Sequence, residues 1–218
     1  MSDSPKRPPT AQEFVLEQLR REIVTRQLLP GAPIRQELLA EKYGTSRVPL
    51  REALKILEGE GQVTYVPHRG YFVADLSLND LNEVYEIREI LESKALTAAV
   101  ARMTSEDVEA VRRIHQRLDA ATASGDVFGM TALNRDFHFA LFDISAMPRL
   151  VRLIRLLWDS TDAYRSMYYA EIDNREAVRG EHAAMLDALV KCDAEALVNL
   201  HHQHRTHAIN ALSSILAN

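Results

Sequence analysis

Residues 46–54 have the sequence Ser-Arg-Val-Pro-Leu-Arg-Glu-Ala-Leu, which is the most informative segment in the first third of the chain. Apolar residues recur at helical spacing from Leu50 onward, which predicts a helix over about 47–60 with one buried face. The opposite face carries Arg47 and Arg51 within its first turn and a half. Arginines beside the free N–H groups of a helix N-terminus suit both phosphates and guanine edges. The stretch therefore predicts a helix that enters a DNA groove.

The segments around this helix predict the rest of a small DNA-binding module. Apolar periodicity predicts a first helix over about 10–28, which ends at a Pro-Gly turn, and a short helix over about 36–43. After the third helix, the β-prone runs 62–66 and 71–74 predict a hairpin with a four-residue loop. The order helix, short helix, helix, hairpin over residues 10–75 is that of a winged helix-turn-helix.

The hairpin adds a second group of candidate DNA contacts. Arg69 and Gly70 lie at the tip of the predicted wing, where an arginine is able to reach a minor groove. An alternative for Arg47 and Arg51 is that they pair with Glu41, Glu52 or Glu58 on a solvated surface. The helix order and the wing together favour DNA. The predicted DNA-contacting residues are Ser46, Arg47, Pro49, Arg51, Arg69 and Gly70.

The remaining two thirds of the chain carry helical periodicity and no further strand signal. This pattern predicts an all-α bundle of six or seven helices, so that the protein as a whole is mainly α. The predicted helical segments are about 78–102, 105–123, 126–145, 148–170, 174–191 and 193–216. The predicted organisation is a disordered arm 1–9, a DNA-binding domain 10–75, a linker 76–79 and an all-α domain 80–218.

Composition excludes several classes of protein. The chain has 218 residues, 46% of them hydrophobic, and a net charge of -5 at pH 7, which is typical of an ordinary globular protein. The one cysteine, Cys192, excludes an internal disulfide framework and a cysteine-rich zinc site. No apolar run approaches the length of a membrane span, and the N-terminus has no signal-peptide pattern. We therefore expect a cytoplasmic protein without a membrane partner.

Four motifs in the first third of the chain carry a family resemblance. They are Leu-Pro-Gly at 29–31, Leu-Ala-Glu-Lys-Tyr-Gly at 39–44, the stretch at 46–54 and Pro-His-Arg-Gly at 67–70. Together they resemble the GntR family of bacterial transcription regulators over essentially all of residues 10–75. The resemblance implies binding to operator double-stranded DNA through Arg47, Arg51, the start of the recognition helix and the wing glycine.

The helical part resembles the FCD-type C-terminal domain of the FadR subfamily. The resemblance rests on Glu-Val-Tyr-Glu-Ile-Arg at 83–88, Asn-Arg-Asp-Phe-His at 134–138, Glu-His at 181–182 and a histidine-rich last helix. It implies a domain that binds a small organic acid, dimerises and often holds a metal ion with an Asp or Asn and three histidines. The corresponding positions are Asn134, His138, His182 and His204. Many relatives have Asp at the position of Asn134, and a neutral amide oxygen is a weaker ligand.

Helical phase supports this ligand set independently. His204 lies at the centre of the apolar stripe of the last helix, whereas His201 lies towards its edge. His182 is flanked by apolar residues at helical spacing, and Asn134 and His138 are four residues apart on one face. A single inward histidine is commonly a hydrogen-bonded core residue. Three on separate helices are satisfied together by one divalent ion, and neutral imidazoles suit zinc or nickel.

Arg88 is a second polar residue on an apolar helical stripe, so its guanidinium is expected to face the bundle interior. One interpretation is a buried ion pair with an acid such as Glu92 or Asp162. The other is a site for the carboxylate of an effector, which the planar guanidinium fits, and the family resemblance favours this one. Tyr164 and Arg165 are predicted to line the same cavity, with packing in the core as their alternative.

The favoured hypothesis is a transcription regulator, and specifically a repressor, that binds a pseudo-palindromic operator as a homodimer. A small carboxylate effector would bind between the metal ion and Arg88. One alternative is a metal-dependent enzyme acting on a small carboxylate, and another is a regulator with a purely structural metal. Against the enzyme, the sequence has no HExxH motif, and Glu181 points about 100° away from its neighbour His182. We therefore expect a regulator and not an enzyme.

Overall fold

The computed structural model describes residues 8–75 and 77–216. The predicted arm 1–9 lies almost entirely outside the described residues. The chain divides into two compact units, residues 1–75 and residues 76–218. Among the described residues, no helix is long and apolar enough to cross a membrane.

The described part of the first unit contains three helices and a two-stranded hairpin. Their bounds are α1 Ala11–Val24, α2 Gln36–Lys42, α3 Arg47–Gly59, β1 Val63–Val66 and β2 Gly70–Val73. Thr10 caps α1 in a capping box with Glu13, because each side chain accepts a hydrogen bond from the other residue's backbone N–H. The helix ends at Val24, four residues earlier than predicted. Thr25 bonds back to the Arg21 carbonyl and Arg26 adopts a left-handed conformation with φ 57°, which stops the helix.

The core of this unit lies between α1 and α3 and fixes the orientation of the third helix. Leu19 of α1 and the inward residues of α3, Leu50 and Leu54, are completely buried. The hairpin is antiparallel, and Val63 pairs with Val73 across it. Its loop is 67–69, three residues rather than the predicted four, because the last pair of the ladder is Val66 with Gly70. The structure thus has the predicted winged helix-turn-helix elements.

Seven helices make up the described part of the second unit. They are α4 Leu78–Val100, α5 Ser105–Ser124, α6 Val127–Ile144, α7 Pro148–Asp159, α8 Asp162–Ala170, α9 Ile172–Val190 and α10 Ala194–Leu216. The prediction of a mainly α protein with a C-terminal helical bundle is confirmed. Helix α6 is central, since it packs against α4, α5, α7 and α8.

Two boundaries of the bundle differ from the sequence-based expectation. The single helix predicted over 148–170 is two helices, α7 and α8, because the hydroxyl of Thr161 bonds back to the carbonyls of Leu157 and Trp158 where the helix would continue. Helix α4 begins at Leu78, capped by the side chain of Ser77, so the end of the predicted linker 76–79 is already helical. Leu76 lies outside the described residues.

Candidate DNA interface and candidate metal centre

The N-terminal end of α3 presents two exposed arginines, Arg47 and Arg51. Ser46 is the N-cap residue of α3, and its side chain makes no capping hydrogen bond in the described structure. The guanidinium of Arg47 lies 2.7 Å from Glu37, a partner that the sequence analysis did not foresee, and the two side chains are 60% and 72% exposed. An exposed pair of this kind contributes at most about 1 kcal/mol, so a DNA phosphate is able to replace Glu37.

Arg35 is a further arginine at this surface that sequence reasoning missed. It is the exposed N-cap residue of α2 and lines the same open hollow of about 460 Å³ as Arg47 and Arg51. Three guanidinium groups around one hollow, against the single carboxylate of Glu37, leave a positive surface suited to the DNA backbone. The sequence feature that points to Arg35 is its position immediately before a helix, where free backbone N–H groups add to its positive charge.

The wing carries the remaining predicted contacts. Arg69 is exposed, and its guanidinium carbon lies 5.1 Å from the ring centre of Phe72 on the neighbouring strand. Gly70 has a φ of 92°, a conformation that favours glycine, and it starts β2 directly after the loop. Pro49 is half-buried in the first turn of α3. Stacking on Phe72 holds Arg69 at the wing while leaving its donors available.

In the second unit, α6, α9 and α10 bring together the three histidines selected by helical phase. His138, His182 and His204 are buried, and one ring nitrogen from each lies within 4.8 Å of the other two. The Nε2 atoms of His138 and His182 are 3.2 Å apart. Asn134, one turn before His138, is 1% exposed, and its Oδ1 has no hydrogen-bond partner among residues 8–75 and 77–216. This oxygen is a fourth candidate metal ligand, and it lies on the same face of α6 as His138.

The electrostatics of the cluster favour neutral imidazoles. Burial, and next the neighbouring histidines, hold the pKa of His138 well below its ordinary value of 6.5, and burial does the same for His182. Both rings are therefore uncharged near neutral pH, which is the form that binds metal ions. The Nδ1 of His204 lies 2.6 Å from a Glu181 oxygen, an arrangement that orients the ring and leaves Nε2 as its ligand atom.

His201 is a fourth buried histidine, which the sequence analysis placed towards the helix edge. It is 1% exposed because α4 covers that side of α10. Its Nε2 lies 3.0 Å from Nδ1 of His138, and its Nδ1 lies 2.7 Å from the guanidinium of Arg205. His201 therefore lies within hydrogen-bonding distance of both Arg205 and His138, and it connects the histidine cluster to Arg205.

Arg88 lies in the bundle interior, as helical phase predicted. Its Nε is 2.8 Å from Glu92, and the two side chains are 3% and 0% exposed, so the predicted alternative of an ion pair is present. The guanidinium carbon also lies 4.2 Å from the ring centre of Trp158 and 4.5 Å from that of Tyr85. Its NH groups are therefore held between aromatic faces at a fixed position.

A small cavity joins Arg88 to the histidine cluster. Arg88 lines it together with two of the predicted metal ligands, Asn134 and His204. The cavity measures about 20 Å³, room for about one water molecule, so a larger guest enters only when side chains move. The other lining residues are Tyr85, Trp158, Arg165, Tyr168, Tyr169, Arg205, Ala208 and Leu212.

Of the two other predicted effector contacts, Arg165 lines the cavity and Tyr164 does not. Arg165 lines the cavity, is 5% exposed, and donates hydrogen bonds to Thr161, the Trp158 carbonyl and Asp162. Tyr164 is not among the described residues that line the cavity. Its hydroxyl donates to the Ser77 carbonyl at 3.0 Å and accepts from the Ser77 N–H at 2.7 Å, so it holds the start of α4 instead.

Comparison with known proteins agrees with both units. The family model described as "Bacterial regulatory proteins, gntR family" matches residues 11–73, and the FCD domain model matches residues 83–207, more than half of the chain. This chain belongs to the GntR family and carries an FCD domain. It is therefore a DNA-binding transcription regulator, as the sequence predicted.

The chain matches individual transcription regulators over nearly their whole length. The chain is 26% identical over 200 residues to the HTH-type transcriptional regulator YdhC of Bacillus subtilis, covering 91% of this chain and 89% of that protein. It is 27% identical over 207 residues to the HTH-type transcriptional repressor GlaR of Escherichia coli, covering 91% and 94%. The solved structure of E. coli McbR matches with a TM-score of 0.82 and 26% identity, covering 96% of this chain and 100% of that one. These relatives confirm a regulator rather than an enzyme.

Proposed function

We propose that this regulator is a repressor whose second unit binds a small carboxylate at a metal-centred cavity and then releases operator DNA. The observation that carries the proposal is that Arg88, Asn134 and His204 line one buried cavity beside the histidine cluster. A fixed guanidinium at one end and a metal ion at the other are two anchors for an anion. The relative GlaR is named a transcriptional repressor, which supports repression rather than activation by this chain.

The residues of the cluster fit a divalent metal ion. Buried, neutral imidazoles without an ion leave polar atoms unsatisfied, as at Nδ1 of His182 and Oδ1 of Asn134. Three imidazoles and one amide oxygen suit zinc or nickel, with Asn134 as the weakest of the four ligands. When bound, the ion supplies a positive charge to which a carboxylate oxygen coordinates. The chain itself supplies the oriented rings, with Glu181 behind His204.

The effector would act on the site through Arg88. A carboxylate that takes the donors of Arg88 competes with Glu92, so binding repacks the side chains between α4 and α7. The cavity is too small for an organic acid in its present form, which implies that the bound and free forms differ in structure. A difference of this kind is required for a ligand to shift a population of conformations.

We propose that the chain acts as a homodimer through the outer surface of α4 and α7, which pack against each other. Large apolar side chains stay exposed there, notably Ile90 at 72% and Leu153 at 51%. Ile87 and Arg88 are neighbours on α4, one exposed and one buried, so a change around Arg88 reaches the proposed dimer surface directly. Such a dimer would place two recognition helices in successive major grooves, within the bacterial cytoplasm.

The experiment that tests the DNA part removes the two arginines of α3. We expect Arg47→Ala and Arg51→Ala each to weaken binding by about 5- to 150-fold, because a contact to a base edge contributes about 1–3 kcal/mol. Fluorescence anisotropy with a labelled DNA site, selected in vitro by the wild-type protein, measures the affinity. Arg112 on α5, whose side chain is 41% exposed, lies in the other unit, and Arg112→Ala is the matched control, which leaves the affinity unchanged. Wild-type affinity in the double variant Arg47→Ala/Arg51→Ala would show that α3 does not bind DNA in this way.

A further inference from the structure

We infer that the effector is a small dicarboxylate and that Arg205 is the residue that selects it over a monocarboxylate. The inference rests on the proposed function and names the class of ligand for the same cavity. It is carried by the buried charges around the cavity, by a donor on Arg205 that makes no hydrogen bond to a described residue, and by the position of Arg205 between the cavity and the surface.

Two buried guanidinium groups share a single carboxylate. Glu92 is 0% exposed and accepts hydrogen bonds from Arg88 at 2.8 Å, from Arg205 at 2.9 Å and from the indole of Trp158 at 2.6 Å. The third arginine of the cavity, Arg165, has its own partner in Asp162. The carboxylate of Glu89 lies 4.0 Å from Arg205, but it is 46% exposed and therefore strongly screened by water. The pair of Arg88 and Arg205 keeps about one uncompensated positive charge.

The histidine cluster adds to this excess once it holds a divalent ion. The ligand set of this chain is neutral, because Asn134 stands where a carboxylate would remove one charge. Glu181 is an acid behind His204, and one of its oxygens lies 2.6 Å from Nδ1 of that ring. It offsets one of the two charges of the ion. Together with the arginine pair, the cavity then carries an excess of about two positive charges, which a dianion neutralises and a monoanion does not.

Arg205 has a buried donor, Nη2, that makes no hydrogen bond to a described residue, and the carboxylate of Glu89 lies 4.0 Å from it. The side chain of Arg205 is 4% exposed. A buried donor without a partner costs free energy, and this cost is recovered when a ligand oxygen accepts from it. The pairing of Nη1 with Glu92 and with His201 keeps the guanidinium in place, so Nη2 is oriented before a ligand arrives.

Arg205 also lies on the path from the surface to the cavity. Together with Tyr85 it lines both the inner cavity and an open hollow of about 170 Å³ between α4 and α10. Glu86, Glu89 and His202 line the same hollow, and Arg205 is the one arginine or lysine among its described lining residues. With one carboxylate on the arginine pair, the second would lie towards Asn134 and His204, which line the same cavity. This arrangement requires two carboxylates on one short chain.

The test compares linear C3–C6 dicarboxylates with their monoamides, each titrated by calorimetry into the zinc-loaded protein. In the wild type we expect at least one dicarboxylate to bind ten-fold or more tightly than its monoamide. In Arg205→Met, which keeps the length of the side chain without its charge, we expect this ratio to approach one, because the diacid loses more affinity than the monoamide. Arg205→Lys restores part of the ratio. Wild-type zinc affinity and a cooperative melt establish that both variants are folded.

The outcomes separate this inference from the proposed function. Equal binding of diacid and monoamide by the wild type would overturn the selection of dicarboxylates and leave the carboxylate effector standing. A diacid preference that survives in Arg205→Met would overturn the role of Arg205. If inorganic phosphate binds with the same dependence on Arg205, the ligand is a phosphate and not a dicarboxylate. If none of the acids or amides binds, the proposed carboxylate effector fails, and the inference fails with it.

Discussion

The His182→Phe protein will lose its stabilisation by zinc, while its metal-free form melts close to the metal-free wild type. The phenylalanine ring keeps the stacking on Phe137, whose centre lies 4.3 Å from that of His182, and removes both ring nitrogens. One orphaned polar atom disappears with Nδ1, which partly offsets the loss of the hydrogen bond to His138. At zinc concentrations of 100 to 1,000 times the dissociation constant, the ion stabilises the wild type by about 3–4 kcal/mol. That is a rise in Tm of about 5–15 °C, which the variant will lack.

Thermal melts of both proteins with zinc and with a chelator measure this difference. His202→Ala is the control, because His202 is a half-exposed histidine on α10 that pairs with Glu89 outside the cluster. It should keep the full response to zinc. If His182→Phe and the wild type respond to zinc alike, the cluster is a hydrogen-bonded part of the core and not a metal centre.

Replacing Glu92 by alanine will destabilise the second unit by about 3–5 kcal/mol, the largest stability effect that we expect for a residue outside the apolar core. The substitution leaves two buried guanidinium groups without their shared counter-ion and the Trp158 indole without an acceptor. Tm should fall by about 6–20 °C in metal-loaded protein. Differential scanning calorimetry gives the change in the unfolding transition of this unit.

The double variant Glu92→Ala/Arg205→Met separates charge from packing. Removing one of the two unpaired guanidinium groups should recover part of the lost stability, since the cost lies in the buried charge. Glu109→Gln, an exposed partner of Arg112 on α5, is the control and should change Tm little. A loss below about 1 kcal/mol in Glu92→Ala would mean that the arginines find other partners.

The sequence was sufficient to predict the elements of the DNA-binding unit, because each of them is specified by a short stretch of residues. The N-cap, the apolar face of α3 and the β-prone runs each depend on residues close together in the chain. The errors there are small for the same reason. Helix α1 ends early because of the local conformation of Thr25 and Arg26, and the wing loop is one residue shorter because its last pair includes Gly70.

Helical phase was equally informative for the site residues on the inner faces of α6, α9 and α10. It placed Asn134, His138, His182 and His204 inward, and all four are buried. Phase also placed Arg88 inside, although the sequence alone left open whether Glu92 or Asp162 would be its partner. The structure pairs Arg88 with Glu92 and leaves Asp162 to Arg165.

His201 and Arg205 were missed because the phase of one helix does not show which neighbours cover it. Helix α10 packs against α4 as well as α8 and α9, so its buried arc is wider than its apolar stripe. A histidine and an arginine at the edge of the stripe then become buried against Glu92 of α4. Tyr164 packs in the core, the alternative that the sequence left open, and its hydroxyl bonds to the backbone of Ser77, 87 positions earlier in the chain.

Control of the operator by an acid bound at the metal centre is tested most simply through DNA affinity. The affinity of the zinc-loaded dimer for its selected DNA site is measured with and without the dicarboxylate that binds most tightly. We expect the acid to weaken DNA binding by about 5- to 150-fold, the usual range of coupling between two sites. The effect should disappear in chelated protein and in His182→Phe. If an acid binds at the metal centre and leaves the DNA affinity unchanged, the metal is structural and the cavity does not control the operator.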